Sequence, residues 1–136
     1  KITLINMHLK SCDDGIARRP NASEILKEYH DETYPNEAVV VVGDWNEDFI
    51  NGADSFENFV ADSDNYIFAE FPINEVSSSN YSFPSWPSHL DHILLSNELC
   101  DNLVSSYTVR LDDCVAGYFS DVSDHRPVMV TLSNEE

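Results

Sequence analysis

The chain has 136 residues with 25 acidic and 7 basic side chains, which gives a formal net charge of −18. Its length fits one domain, and its 42% of hydrophobic residues exclude simple acidic disorder. There is no stretch near the roughly 20 apolar residues of a membrane helix and no secretory signal pattern, and the acid excess argues against tight, passive binding to a nucleic-acid backbone. Any phosphate chemistry would therefore need a bound cation to supply most of the positive charge.

The N-terminal part predicts two strands around one helix. Alternating apolar residues indicate the first strand, and a run of four β-branched residues indicates a second strand buried on both faces. The helix is expected to begin at Asn21, which can cap it, with Glu24 in the capping-box position. In chain order we predict a strand at 2–9, a polar loop at 11–20, the helix from Asn21 to Pro35, and the strand Val39–Val42, ended by Gly43.

The remaining chain predicts one more helix and further strands. We expect a short helix at 54–61, a strand at 66–71, a loop at 77–87, and strands at 90–95, 107–111 and 128–132. Strands that alternate with helices predict α/β layers rather than an all-β sandwich. Because the chain opens in strand-like sequence without an initiator Met, we expect it to be a piece of a longer protein.

Polar residues follow or open several of these strands, at the edge where open α/β sheets place ligands. Asp91 is predicted on the same strand face as Ile93, where a partly desolvated carboxylate needs a partner such as a histidine. An Asp–His pair fixes the imidazole tautomer and raises its basicity. A carboxylate and an amide in one turn can orient a water or hold a phosphate oxygen beside a hard cation. The residues in question are His8, Asp44, Asn46, Asp91, Asp124 and His125.

Each of these signals alone has a structural explanation. A single histidine on a strand is more often structural than catalytic, and Asp44-x-Asn46 is ordinary turn chemistry. An EF-hand is excluded because Phe49 and Ser55 occupy the positions that need Gly and Glu. His89 and His92 have the spacing of a metal pair, but on a strand they are expected to point to opposite faces.

The three cysteines, Cys12, Cys100 and Cys114, have no CxxC spacing, which argues against a cysteine zinc site. A Cys100–Cys114 disulfide and three unlinked thiols both remain open.

Four segments in this order resemble the endonuclease/exonuclease/phosphatase superfamily, which is deoxyribonuclease I-like. They are Asn6-Met7-His8-Leu9, Gly43-Asp44-Trp45-Asn46, Leu90-Asp91-His92-Ile93 and Ser123-Asp124-His125-Arg126-Pro127-Val128. The resemblance implies an α/β fold that is part of a four-layer α/β/β/α sandwich. It also implies that residues 1–136 are the C-terminal part of a single domain whose N-terminal portion is missing.

The resemblance assigns a role to each matching residue. It makes His125 the catalytic histidine paired with Asp91, and Asp44 the group that orients or activates water. Asn46 would bind the substrate phosphate, and Asp124 would help to bind the metal. His8 would be the second catalytic histidine. The family's N-terminal Asn, its metal-binding Glu and the acidic partner of its second histidine have no counterpart here.

The implied function is metal-dependent phosphoesterase activity of the nuclease or phosphatase type, with Mg²⁺ (or Mn²⁺ or Ca²⁺) as cofactor. The substrate would be a phosphate ester, with nucleic acid among the candidates, and Arg18, Arg19 and Arg126 are the few fixed cations that could assist, Arg126 as a phosphate-binding residue. The alternative is a non-catalytic acidic binding module, or a degenerate homologue, that retains the fold. A strongly acidic, Lys-poor surface suits a secreted or extracytoplasmic bacterial protein.

Overall fold

The computed structural model describes residues 1–49, 54–70 and 80–134 of the chain. The elements in these ranges are the strands β1 (Thr3–His8), β2 (Val39–Asp44), β3 (Tyr66–Phe68), β4 (Asp91–Ser96), β5 (Leu103–Thr108) and β6 (Val128–Leu132), and the helices α1 (Asp13–Ile16), α2 (Arg19–Thr33), α3 (Glu57–Val60) and α4 (Tyr118–Asp121). Short 3-10 turns lie at Asp54–Phe56, Asn97–Asn102 and Leu111–Asp113.

Two sheets form the framework. The larger has the order β1-β2-β4-β3, in which β1 and β2 are parallel while β4 runs antiparallel to both β2 and β3. The smaller is the antiparallel pair β5-β6. Strands and helices thus share one α/β unit, as the alternation in the sequence predicts.

Apolar residues are buried on both faces of the larger sheet. Val39 and Val41 belong to one cluster, which also includes Phe59 of α3 and is packed by Leu26 of α2. Val40 belongs to the other, which the inward side chains of β6 cover. The prediction of a strand buried on both faces is therefore confirmed. Helices lie on one face and β5-β6 on the other, which makes an α/β/β arrangement; the four-layer sandwich stays a prediction.

Helix α2 starts earlier than the capping pattern predicts. It begins at Arg19, with Pro20 in its first turn, where the missing amide of proline costs nothing. The Arg19 Nε donates to Glu47 Oε2 at 2.9 Å, which ties the first turn to the loop after β2. Asn21 therefore lies inside the helix, and the predicted loop 11–20 also contains α1.

The other boundaries agree to different degrees. Strand 128–132 is confirmed, whereas the strand expected at 107–111 is β5, which begins at Leu103 and ends at Thr108. Phe71 and residues 77–79 lie outside the described residues. The three cysteines are free thiols, so the Cys100–Cys114 disulfide is not formed. Among the described residues, no helix is long and apolar enough to cross a bilayer.

Gly43 allows β1 to approach β2. Its φ is +141°, and a Cβ built there would lie 1.8 Å from the carbonyl oxygen of Met7 on β1. That neighbour is backbone, held in the parallel pairing of the two strands. A side chain at position 43 would therefore force the two strands apart next to Asp44.

We expect Gly43→Ala to destabilise the fold more than Gly117→Ala does. Both glycines have positive φ, but a Cβ at Gly117 meets the tip of the Asp121 side chain, which can move away. The difference in the free energy of unfolding should be at least about 1 kcal/mol, measured by urea denaturation. Equal losses in the two variants would contradict the steric explanation.

Candidate active site

Strand register places three polar residues in one row across the end of the larger sheet. His8 is the register partner of Asp44 in the parallel β1-β2 pair, and Asp44 is opposite Asp91 in the antiparallel β2-β4 pair. His8 Nε2 lies 3.3 Å from Asp44 Oδ2. The sequence offers no acidic partner for His8, and the structure supplies Asp44. Two carboxylates directly opposite each other repel, so this row attracts positive charge.

His125 adds a second imidazole to the row. Its Nδ1 lies 2.7 Å from Asp91 Oδ2, and with Nδ1 donating to this carboxylate the nitrogen that can serve a ligand is Nε2. The His125 amide donates to Ser123 Oγ at 3.0 Å, and its carbonyl oxygen accepts from the Tyr118 hydroxyl at 2.9 Å. The ring is therefore oriented from several sides at once.

The turn after β2 arranges Asp44 and Asn46. Asp44 Oδ1 accepts a hydrogen bond from the backbone N–H of Asn46 at 2.8 Å, which forms an Asx turn. Asn46 itself adopts a φ of +53°, which asparagine tolerates well. Asn46 Nδ2 donates to the carbonyl oxygen of Leu9 at 2.9 Å. Because the side-chain amide carries two N–H bonds, this contact orients it without using all its donor capacity.

Burial and neighbouring charges shift the pKa of two groups in this row. Burial, together with the negative charge of Asp91, raises the pKa of Asp44, while the Asn46 amide opposes the shift. The hydrogen bond to Asp91 raises the pKa of His125 above its usual value, against the effect of burial. Both shifts make the groups better proton acceptors at neutral pH, as general base chemistry requires.

These residues line one open cleft of about 1150 Å³. The cleft contains six of the seven residues predicted from the sequence: His8, Asp44, Asn46, Asp91, Asp124 and His125. Ligand atoms of Asp44, Asp91 and His125 all lie within 4.8 Å of one another, whereas Asp124 is exposed and lies outside this group. Phe83 packs against the His125 ring at 4.8 Å between centroids.

Arg126 is the predicted site residue that the structure does not bring to the cleft. Its guanidinium donates to both carboxylate oxygens of Asp112, at 2.8 and 2.6 Å, and its side chain is only 7% exposed. A buried arginine engaged in a bidentate pair is held in place by that pair. Arg19 does line the cleft, but it pairs with Glu47.

Ser82 is a site residue that sequence reasoning misses. It is fully buried, and its Oγ accepts from the amides of Leu90 and Asp91 at 2.9 and 3.1 Å. Its carbonyl oxygen accepts from the Arg126 amide at 2.6 Å. Ser82 thus joins the segments that carry Asp91 and His125, although a serine in a Ser- and Pro-rich loop gives no sequence signal of this role.

The prediction that His89 and His92 point apart is wrong. Strand alternation does not apply to His89, because β4 begins only at Asp91. The two rings lie 5.1 Å apart between centroids, and Glu70, which the sequence does not single out, joins them. The spacing of His89 and His92, three residues apart, was the sequence signal that could have indicated this group.

The cleft residues fit a divalent cation. Three side chains converge within 4.8 Å, two of them carboxylates, which are the oxygen ligands that Mg²⁺, Mn²⁺ and Ca²⁺ prefer. Asp124 at the rim adds a further carboxylate.

No protein-family model and no curated protein matches the sequence. Solved structures with a similar fold are found. The chain is similar to a mannosyl-6-phosphatase of Bacteroides thetaiotaomicron (TM-score 0.66, 20% identity, 96% of this chain and 50% of that one). It is also similar to an endonuclease/exonuclease/phosphatase family protein of the same bacterium (TM-score 0.65, 19% identity, 95% of this chain and 48% of that one). A third similar structure is the human Nocturnin catalytic domain with bound sulfate (TM-score 0.61, 19% identity, 93% of this chain and 46% of that one).

These similarities show the fold. The chain has the fold of endonuclease/exonuclease/phosphatase proteins over about half the length of each, which confirms the predicted resemblance at that level. Which half it corresponds to is not given by the match, so its place as the C-terminal part stays a prediction.

We expect Asp91→Asn to lower the pKa of His125, because the charged hydrogen bond is the main cause of its raised value. NMR titration of the imidazole in metal-free protein measures this, with the exposed Asp121→Asn as control.

The same pair links stability to pH. Since the folded pKa of His125 exceeds the unfolded value of 6.5, the pair's contribution is fully present below that value and is lost as the pH rises through the folded pKa. Urea unfolding across this range should show a flatter profile for Asp91→Asn than for Asp121→Asn. The same profile in both variants would show that the pair is not the cause.

Proposed function

We propose that this chain contributes the catalytic residues of a metal-dependent phosphoric ester hydrolase. The observation that carries the proposal is the Asp91–His125 hydrogen bond of 2.7 Å beside Asp44 in one cleft. Support comes from the fold, because its structural relatives include a mannosyl-6-phosphatase and an endonuclease/exonuclease/phosphatase family protein. The chain spans about half the length of these relatives, so the activity of the whole protein is part of this proposal.

Asp44 is suited to act on the attacking water. Its side chain is 16% exposed, lies at the end of β2, and accepts a hydrogen bond from the backbone N–H of Asn46. The raised pKa makes it a stronger base than an exposed aspartate. It can therefore orient a water and accept its proton.

His125 is suited to donate to the phosphate group. With Nδ1–H fixed on Asp91, its protonated form presents Nε2–H, and the raised pKa increases the protonated fraction near neutral pH. This donor stabilises negative charge that gathers on phosphoryl oxygens during displacement. Asn46 supplies a neutral donor in the same cleft, and His8, paired with Asp44, supplies a second imidazole on the opposite side of the row.

Asp124 would help to hold the divalent cation, next to the carboxylates of Asp44 and Asp91 in the same cleft. When bound, the cation offsets the charge of the phosphate and of its transition state. In a chain with a net charge of −18, it also supplies the attraction that the few arginines and lysines cannot. The acidic surface supports a secreted or extracytoplasmic location.

The test is the hydrolysis of p-nitrophenyl phosphate and bis-p-nitrophenyl phosphate by the full-length protein with Mg²⁺ or Mn²⁺. We expect Asp44→Asn and His125→Ala each to lower kcat by about 10²–10⁴-fold, the usual contribution of a proton-transfer group. The relative rates on the two esters separate monoesterase from diesterase activity.

Asp101→Asn, at an exposed position in the turn before β5, is the matched control and should retain activity. Equal activity of Asp44→Asn, His125→Ala and the control would remove these residues from the mechanism. A wild-type protein that is folded but inactive on both esters would favour the non-catalytic binding module.

A further inference from the structure

A second group of potential metal ligands lies outside the cleft. It consists of Glu70, which follows β3, His92 on β4, and His89 just before β4, and we call it the β3-β4 cluster. One ligand atom from each residue lies within 4.8 Å of the other two. None of the three lines the cleft that contains Asp44 and His125. Asp91 and His92 are consecutive on β4, so the cleft and the cluster lie on opposite faces of the strand.

His92 has the surroundings of a metal-binding histidine. Its ring is 1% exposed and stacks on Phe49, with 3.7 Å between centroids and an interplanar angle of 5°. Its Nε2 lies 2.8 Å from the carbonyl oxygen of Glu47, which can only accept, so Nε2 carries the hydrogen. Histidine ligands of metals commonly have their second nitrogen fixed in this way by a carbonyl or a carboxylate.

This arrangement directs Nδ1 of His92 at Glu70. In the neutral ring, Nδ1 then carries a lone pair, and it contacts the carboxylate oxygen Oε1 of Glu70. Two acceptors in contact repel unless a cation lies between them, either a proton or a metal ion. A proton can satisfy two atoms, but three groups converge here, because a ligand atom of His89 lies within 4.8 Å of ligand atoms of both Glu70 and His92.

We propose that Glu70, His89 and His92 bind a transition-metal ion of the Zn²⁺ class. Two imidazoles and one carboxylate are a ligand set that Zn²⁺ accepts, with a water as fourth ligand. Ligand bonds of about 2.1 Å place neighbouring ligand atoms about 3.4 Å apart, so shifts of about 1 Å complete the site. Glu70 and His89 are partly exposed, which gives the ion a path from solvent.

The ion would join segments that also support the cleft. Glu70 extends from β3, His92 lies next to Asp91, and the Glu47 carbonyl that orients His92 belongs to the loop just after Asn46. The site therefore positions the strand and the loop that carry candidate catalytic residues, without touching the substrate. It does not depend on the proposed hydrolase activity.

Zinc retention tests the proposal in the full-length protein. To remove the cleft as a competing site, Asp44→Asn is used as the background. The protein is stripped with a chelator, loaded with Zn²⁺, desalted and analysed for bound metal. We expect about one Zn²⁺ per chain. Adding Glu70→Gln or His89→Gln should lower the affinity at least about tenfold, because each removes one of three protein ligands. The exposed Glu57→Gln is the matched control and should retain the ion.

Two further measurements keep the result clear. Co²⁺ substituted for Zn²⁺ should give a visible absorption band that is lost in His89→Gln, and Zn²⁺ should raise the Tm of the background protein but not of Glu70→Gln. Circular dichroism shows whether each variant is folded, and Glu70 and His89 are partly exposed, so both substitutions should be tolerated. If the background protein retains no Zn²⁺, only a proton bridges His92 and Glu70, and the proposal is overturned. If all variants retain Zn²⁺ equally, the ion is bound elsewhere, which also overturns the proposal.

Discussion

The candidate site depends on the register of β2 against β4. That register places the carboxylates of Asp44 and Asp91 opposite each other, and it is fixed by buried contacts of Trp45. The Trp45 amide donates to the Leu90 carbonyl at 2.8 Å, and its indole Nε1 donates to the His92 carbonyl at 3.0 Å, while the ring is fully buried between Phe56 and Phe68. Because slipping by one residue would turn every side chain of β4 to the other face, the apolar core holds the two acids together against their repulsion.

The sequence was sufficient for the features that local patterns encode. Alternation along β4 assigns Ile93 and Leu94 to opposite faces, and the structure places them in different apolar clusters. The same alternation puts Asp91 on one side of the strand. That His125 is the partner of Asp91 came from the ordered motifs rather than from periodicity, since 34 residues separate them. The motifs carry this long-range information because each marks one end of a strand.

Features set by distant contacts could not be predicted. Arg126 directly follows His125 in the segment Ser123–Val128, yet its guanidinium pairs with Asp112, and nothing in the local sequence favours that aspartate over a phosphate. Helix α2 begins at Arg19 because a buried pair with Glu47 outweighs the capping pattern at Asn21. His89 was misplaced because strand alternation was applied to a residue that precedes the strand, and alternation holds only inside a strand.

The start of β4 explains why two kinds of ligand set can lie so close without merging. Asp91 faces the cleft, where most potential ligands are carboxylate oxygens, which hard cations prefer. His92 faces the helical layer, where the potential ligands are two imidazoles and one carboxylate, a set that softer ions prefer. The strand between them is held by Ser82 on the Asp91 side and by the Glu47 carbonyl and Phe49 on the His92 side. A shift of β4 along its axis would therefore disturb both sets, whereas a substitution that removes one ligand leaves the backbone anchors of the other in place.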